Sequence, residues 1–199
     1  MPIGDTERAV SAAAALDGIQ LVPMPTVSWL NTHGHFALPE EAAEATPVLQ
    51  QAFERLHGDK DEELSKPLRA LPSDIAHLPT RTLVEIDEFQ HFTSFRAVTL
   101  DLLNESGPTA DVSTYSELCA SWSNRADRYR ARKVAKGFPG EYSRGRQRAY
   151  NDLLRDIVAP MMGWRVVRIP APKLDGAHAY ADARVRLLAV LEETKTGAQ

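Results

Sequence analysis

The chain has 199 residues, 43% of them hydrophobic and 25% charged, enough to bury a sizeable core and too balanced for a disordered or fibrous polymer. No apolar run approaches the roughly 18 residues that span a bilayer, and the N-terminus lacks the basic-then-apolar order of a leader, so no membrane partner and a cytoplasmic location are expected. A net charge of −4 argues against a nucleic-acid partner for the chain as a whole, though the charge is unevenly distributed, and the single cysteine, Cys119, excludes an internal disulfide or a cysteine-built zinc site.

In chain order, Thr6 to Asp17 suits a short helix with Thr6 as N-cap and Gly18 as its stop. Gly18 to Pro39 is broken by Pro and Gly and reads as irregular chain on the surface; His33-Gly-His35 lies within it but has no carboxylate companion for a metal. Thr46-Pro47 opens a helix to about Leu56, with Leu49, Phe53 and Leu56 on one face. The charged stretch Asp59 to Lys66 is expected to be exposed. Residues 1–66 therefore read as a helical N-terminal extension packed on a core formed by 67–199.

The pattern then changes to strands. Leu71–Leu78 and Arg81–Asp87 flank Pro79-Thr80 and predict a hairpin, with Thr82, Val84 and Ile86 sharing one face. Pro79 disfavours the tightest primed turns, so a four-residue loop is expected, which puts Asp74 opposite Glu85. Ser94–Leu103 reads as a helix, Val112–Lys136 as one long or two shorter helices ending at Gly137-Phe-Pro-Gly140, and Arg144–Met162 as another helix. Trp164–Ile169 is a strand closed by Pro170, and Ala177–Glu193 a helix with a Val185, Leu188, Leu191 stripe. The last few residues are expected to be loose.

Strand alternation sends the Glu85 and Asp87 side chains to one face, with Val84 and Ile86 facing the other way. Three carboxylates meeting there (Asp74, Glu85, Asp87) would repel one another unless a hard divalent cation such as Mg²⁺ or Mn²⁺ joined them. Such an ion lowers the pKa of an attacking water and stabilises charge on a phosphodiester. His91, four residues beyond Asp87, is placed to handle protons, and Gln90 to support it. A solvated acidic strand end beside a structural histidine is the competing reading.

Two separated segments carry a family likeness. Glu85-Ile-Asp-Glu-Phe-Gln-His91 resembles the E-[IV]-D-G-x-x-H strand of proteins related to the very-short-patch-repair endonucleases. Asp152-Leu-Leu-Arg155-Asp156 followed by Gly163-Trp-Arg-Val-Val-Arg168 resembles the same group's D-x-x-R-D helix and G-[YW]-x-V-x-R strand, and Ser73-Asp74 stands where the group carries its upstream metal aspartate. The resemblance covers about residues 71–92 and 144–170. It implies the restriction-endonuclease-like PD-(D/E)xK superfamily: an α/β core with a small mixed sheet flanked by helices, and metal-dependent cleavage of phosphodiester bonds in DNA, in defence or repair. It further implies Asp74 and Glu85 as metal ligands, Asp87 as a third or water-bridged ligand, His91 and Gln90 in catalysis, and Arg155 at phosphate or on a site carboxylate. The sequence departs from the parent motif where Asp87 replaces lysine and Glu88 replaces glycine, and in an insert at about 104–143. A module that keeps the fold for nucleic-acid or protein binding without catalysis is the alternative.

Charge is concentrated near that insert. Between residues 124 and 148, nine basic residues oppose only Asp127 and Glu141, a local net charge of +7 that leaves −11 for the rest. Arg125, Arg128, Arg132, Lys133, Arg144, Arg146 and Arg148, with Arg155 beyond them, are the expected contacts to DNA. Tyr129 and Tyr142 interleave and offer stacking faces. A solvated helix pairing with the acidic remainder competes with this reading, and nothing in the residues excludes a homodimer.

Overall fold

The computed structural model describes residues 4–105 and 112–196. Its elements in chain order are α1 (Asp5–Leu16), β1 (Val22–Pro23), β2 (Thr26–Asn31), α2 (Thr46–Arg55), α3 (Lys60–Leu64), β3 (Ala70–Pro72), β4 (Ile75–His77), β5 (Thr82–Glu88), α4 (Ser94–Glu105), α5 (Val112–Ala126), α6 (Ser143–Met161), β6 (Arg165–Ala171) and α7 (Gly176–Thr196). The protein is mixed α/β with a small mixed sheet flanked by helices. Among the described residues no helix is long and apolar enough to cross a membrane. Part of the expected insert (106–111) and the chain end expected to be loose (197–199) lie outside the described residues.

The chain folds as two compact units, each assembled from separated segments. The division does not run at residue 66: residues of the expected N-terminal extension contribute to both. The reason is local, since β1 pairs with β4 and α1 packs against α7.

The first unit takes in residues 4–26, 72–88 and 163–196. Its four-stranded sheet has the order β1-β4-β5-β6, with β1/β4 and β4/β5 antiparallel and β5/β6 parallel. The expected hairpin forms in the expected register, Ile75 opposite Val84 and His77 opposite Thr82, around the four residues Leu78 to Arg81. Its first arm is shorter than expected. Beyond Ile75 the Asp74 carboxylate, rather than a further strand residue, accepts the Ile86 N–H at 2.8 Å, and β3 pairs with β2 in a separate two-stranded sheet. Pro170 lies inside β6 rather than closing it, which an edge strand tolerates because a missing N–H interrupts no outer ladder.

Val84, Ile86, Val167 and Ile169 on one face of this sheet join Val10, Ala14, Ala179, Ala183, Leu187 and Leu191 in a continuous core. Of the expected α7 stripe, Leu191 lies in this core and Leu188 packs against it, while Val185 is 77% exposed; the small Ala179 and Ala183 complete the inward face, where they permit close helix packing. At the start of α7 a Cβ on Gly176 would stand 2.3 Å from the Thr6 carbonyl oxygen. Thr6 is no N-cap. Gly4, with φ 84°, precedes the helix, and the buried Thr6 hydroxyl donates to Glu88 Oε1 at 2.8 Å.

The second unit, residues 27–71 and 89–162, packs α2, α4, α5 and α6. Phe36, Phe53, Phe138 and Tyr150 form an aromatic cluster around His35, with ring centroids 3.9–5.9 Å apart. Three expectations are corrected here. The segment Gly18 to Pro39 is not wholly irregular, because it contains β1 and β2. Asp59–Lys66 is not simply exposed: Asp59 caps α3 through the Glu62 N–H, and Glu63 is buried in an ion pair with Lys66. The helix beginning at Val112 stops at Ala126, and the chain runs in turns to Lys136.

Candidate functional site

Strand β5 is buried on both faces, not half-buried as a hairpin arm at a surface would be. The cause lies in the topology: β5 is an inner strand between β4 and β6. Its apolar face meets the core described above, while Glu85 and Asp87 are buried on the opposite face, Asp87 completely. An unpaired buried carboxylate is costly. Arg168 relieves that cost for Asp87. It stands on β6 opposite Glu85, and its Nη1 donates to both Asp87 carboxylate oxygens, at 2.9 and 3.0 Å.

Immediately after β5, a single 3-10 turn over Phe89–His91 carries the histidine. His91 is half-buried, and its Nδ1 lies 3.0 Å from Oδ2 of the buried Asp152 on α6. Asp152 also has Arg155 one helical turn on, Nη1 to Oδ1 3.6 Å. Arg155 thus forms an ion pair within α6.

Asp87, His91 and Asp152 each offer one ligand atom, all within 4.8 Å of one another. Ligands held at about 2.1 Å from one ion are separated by roughly 3 to 4.2 Å, so this grouping is close to a coordination triangle. The donor set of two carboxylate oxygens and one imidazole nitrogen suits a divalent cation of intermediate hardness. These three residues can hold a metal ion.

This set overlaps the expected one without matching it. Asp87 and His91 are in it, and Asp152, which sequence reasoning gave no ligand role, completes it. Asp74 and Glu85 belong to no group of three converging ligand side chains among the described residues. Asp74 is instead engaged with the Ile86 N–H, and its backbone oxygen accepts from Met24 N–H at 2.8 Å. Gln90 is half-buried beside His91, and its backbone carbonyl accepts from Arg148 Nη1 at 2.9 Å. Glu88, the replaced glycine of the motif, is turned to Thr6.

The basic residues divide into two groups. Arg125, Arg128, Arg132 and Lys133 are exposed, as are Arg130 and Lys136. Arg144 and Arg148 are half-buried, and burial holds the Arg148 pKa below the usual arginine range. Arg146 does not fit the phosphate-contact role expected for it. It is buried and donates to the carbonyls of Leu56, at 3.2 Å, Glu141, at 2.8 Å, and Pro139, which ties the end of α2 to the turn before α6. Arg96, which no motif singled out, is fully buried and donates to Asp156 on α6 at 2.6 Å.

Comparison of the chain with protein-family models, with curated proteins and with solved structures gives no significant match.

Proposed function

We propose that the protein is a divalent-metal-dependent endonuclease acting on phosphodiester bonds in DNA, built on a restriction-endonuclease-like core. The observation that carries this reading is the convergence of Asp87, His91 and Asp152 at the end of β5. The order of the acidic strand, the Asp152–Asp156 helix and the Trp164–Arg168 strand supports it through the resemblance to the short-patch-repair endonucleases.

Asp87, His91 and Asp152 would hold the ion, and the imidazole among them favours Mn²⁺ over Mg²⁺. When bound, it would supply Lewis acidity at a phosphate oxygen and a more acidic water. The remaining work falls to the chain. Arg168 fixes the Asp87 carboxylate, and the Asp152 carboxylate, 3.0 Å from His91 Nδ1, holds the imidazole ring in place. The exposed cations Arg125, Arg128, Arg132 and Lys133 supply the phosphate contacts that an acidic protein otherwise lacks.

A second reading is favoured by one observation. Asp87 is already balanced by Arg168, and Asp152 by His91 and Arg155, so the charges are compensated by side chains alone. In that case the fold binds DNA and cleaves nothing.

A plasmid-nicking assay with Mn²⁺ or Mg²⁺ separates the two. Nicking that needs the ion and disappears in Asp87→Ala supports the nuclease. DNA retention by wild type and variant alike, with no nicking under either ion, selects the binding module.

A further inference from the structure

We propose that the surface formed by the end of α5 and the turns after it is a stacking platform for unpaired bases, so that the partner is single-stranded DNA. This rests on the DNA reading above and names the form of the DNA. The observations lie wholly within the second unit. The Arg125 guanidinium carbon sits over the Phe89 ring, 4.2 Å from its centroid, and 5.7 Å from that of Trp122. Tyr129 meets the same Phe89 ring edge-on at 5.3 Å and carries Arg130 over its own face at 5.2 Å.

Phe89 is buried, so its ring is the floor of this arrangement, while Arg125 and Arg130 are exposed above it and Trp122 and Tyr129 are half-buried. A guanidinium lying on an aromatic floor is held flat and presents its other face outward. Such a face accepts an unstacked base of any identity. Bases inside a duplex are already stacked on one another and present no free face, so a surface built only for duplex phosphates gains nothing from this aromatic floor.

Among the described residues, the charges around it are uncommitted. Arg125, Arg128, Arg130, Arg132 and Lys133 form no ion pair with a carboxylate of the described residues. They follow a strand backbone while the rings and guanidinia take the bases. Phe89 opens the same 3-10 turn that ends in His91, so a strand stacked here lies two residues along the chain from the candidate metal ligand.

The test is fluorescence anisotropy in chelator, so that no cleavage is needed, using a labelled oligothymidylate, a duplex hairpin of equal length and an RNA strand of equal length. Wild type should bind the DNA strand more tightly than the hairpin or the RNA. Arg125→Ala should weaken strand binding roughly tenfold. Arg125→Lys, which keeps the charge, should lose most of that affinity while keeping the salt dependence. Equal affinity in wild type and Arg125→Lys overturns the stacking role, tighter binding of the hairpin overturns the single-strand assignment, and tighter binding of the RNA overturns the DNA one. Arg125 is exposed, and unchanged thermal melting of both variants confirms that folding is not being measured. Binding without nicking would count against the nuclease and leave this inference standing.

Discussion

Asp87 has no exposed surface, and one guanidinium nitrogen serves both of its oxygens. Removing only the cation takes away the guanidinium that balances this buried carboxylate. Arg168→Met is therefore expected to cost about 3–5 kcal/mol, read from the shift of the urea midpoint, whereas Asp87→Leu combined with Arg168→Met should recover most of that loss. A double variant no more stable than Arg168→Met would show that the pair does not act as a unit. His35 offers a second test at this scale. Its Nδ1 accepts from the Tyr150 hydroxyl at 2.5 Å, its backbone N–H donates to that same oxygen, and Nε2 is 2.6 Å from Gln50 Oε1. This set suits the neutral ring, and burial lowers the His35 pKa below its ordinary 6.5. The folded state thus binds the proton less readily than the unfolded one. The stability this contributes is complete above pH 6.5 and is lost as pH falls from there through the folded-state pKa. Urea midpoints of wild type should decline over that window more steeply than those of His35→Asn, and parallel curves would remove His35 as the cause.

At the scale of elements, β5 was the most legible part of the chain. Its length, its partner β4 and the register between them follow from alternation and from what Pro79 permits in a turn. Asp87 and His91 were legible as neighbours because only Glu88, Phe89 and Gln90 separate them in the chain. Asp152 was visible as part of a helix motif, but its ligand role depends on where α6 meets the Phe89–His91 turn, a contact 61 residues apart that no periodicity encodes. The inward place of Ala179 and Ala183 on α7 was hidden because alanine is equally at home on a helix surface and in a close helix contact. That contact is testable. Gly176 lies where α1 and α7 approach, and Gly176→Ala would drive a methyl against the Thr6 backbone, at an expected cost of about 1–3 kcal/mol. Gly18→Ala, at φ 75° with nothing within 4 Å, carries only the backbone penalty and should cost about 1 kcal/mol. Urea unfolding of the two variants checks the order, and a Gly176→Ala as mild as Gly18→Ala would show that the helices separate freely.

At the scale of the whole molecule, the uneven charge has a physical use. On the DNA reading proposed above, an acidic chain with one basic segment would avoid general adhesion to polyanions while offering a local site for one. Within each unit a buried carboxylate is matched by an arginine, Arg168 on Asp87 in the first and Arg96 on Asp156 in the second, so neither pair needs an ion for its balance. Metal would then act by mass action on a structure already formed. An ion that binds only the folded chain adds about 2.7 kcal/mol when present at roughly 100 times its dissociation constant. Differential scanning fluorimetry in rising Mn²⁺ should therefore move the melting temperature of wild type upward by several degrees and level off once the site fills. Asp152→Asn removes a charged ligand with little change in side-chain size, so this variant should fold and show a flat response to Mn²⁺. Mg²⁺ should shift wild type less, because an imidazole is a poor ligand for it. A wild-type melting temperature indifferent to both ions would sink the metal centre, and an equal rise in Asp152→Asn would move it elsewhere on the protein.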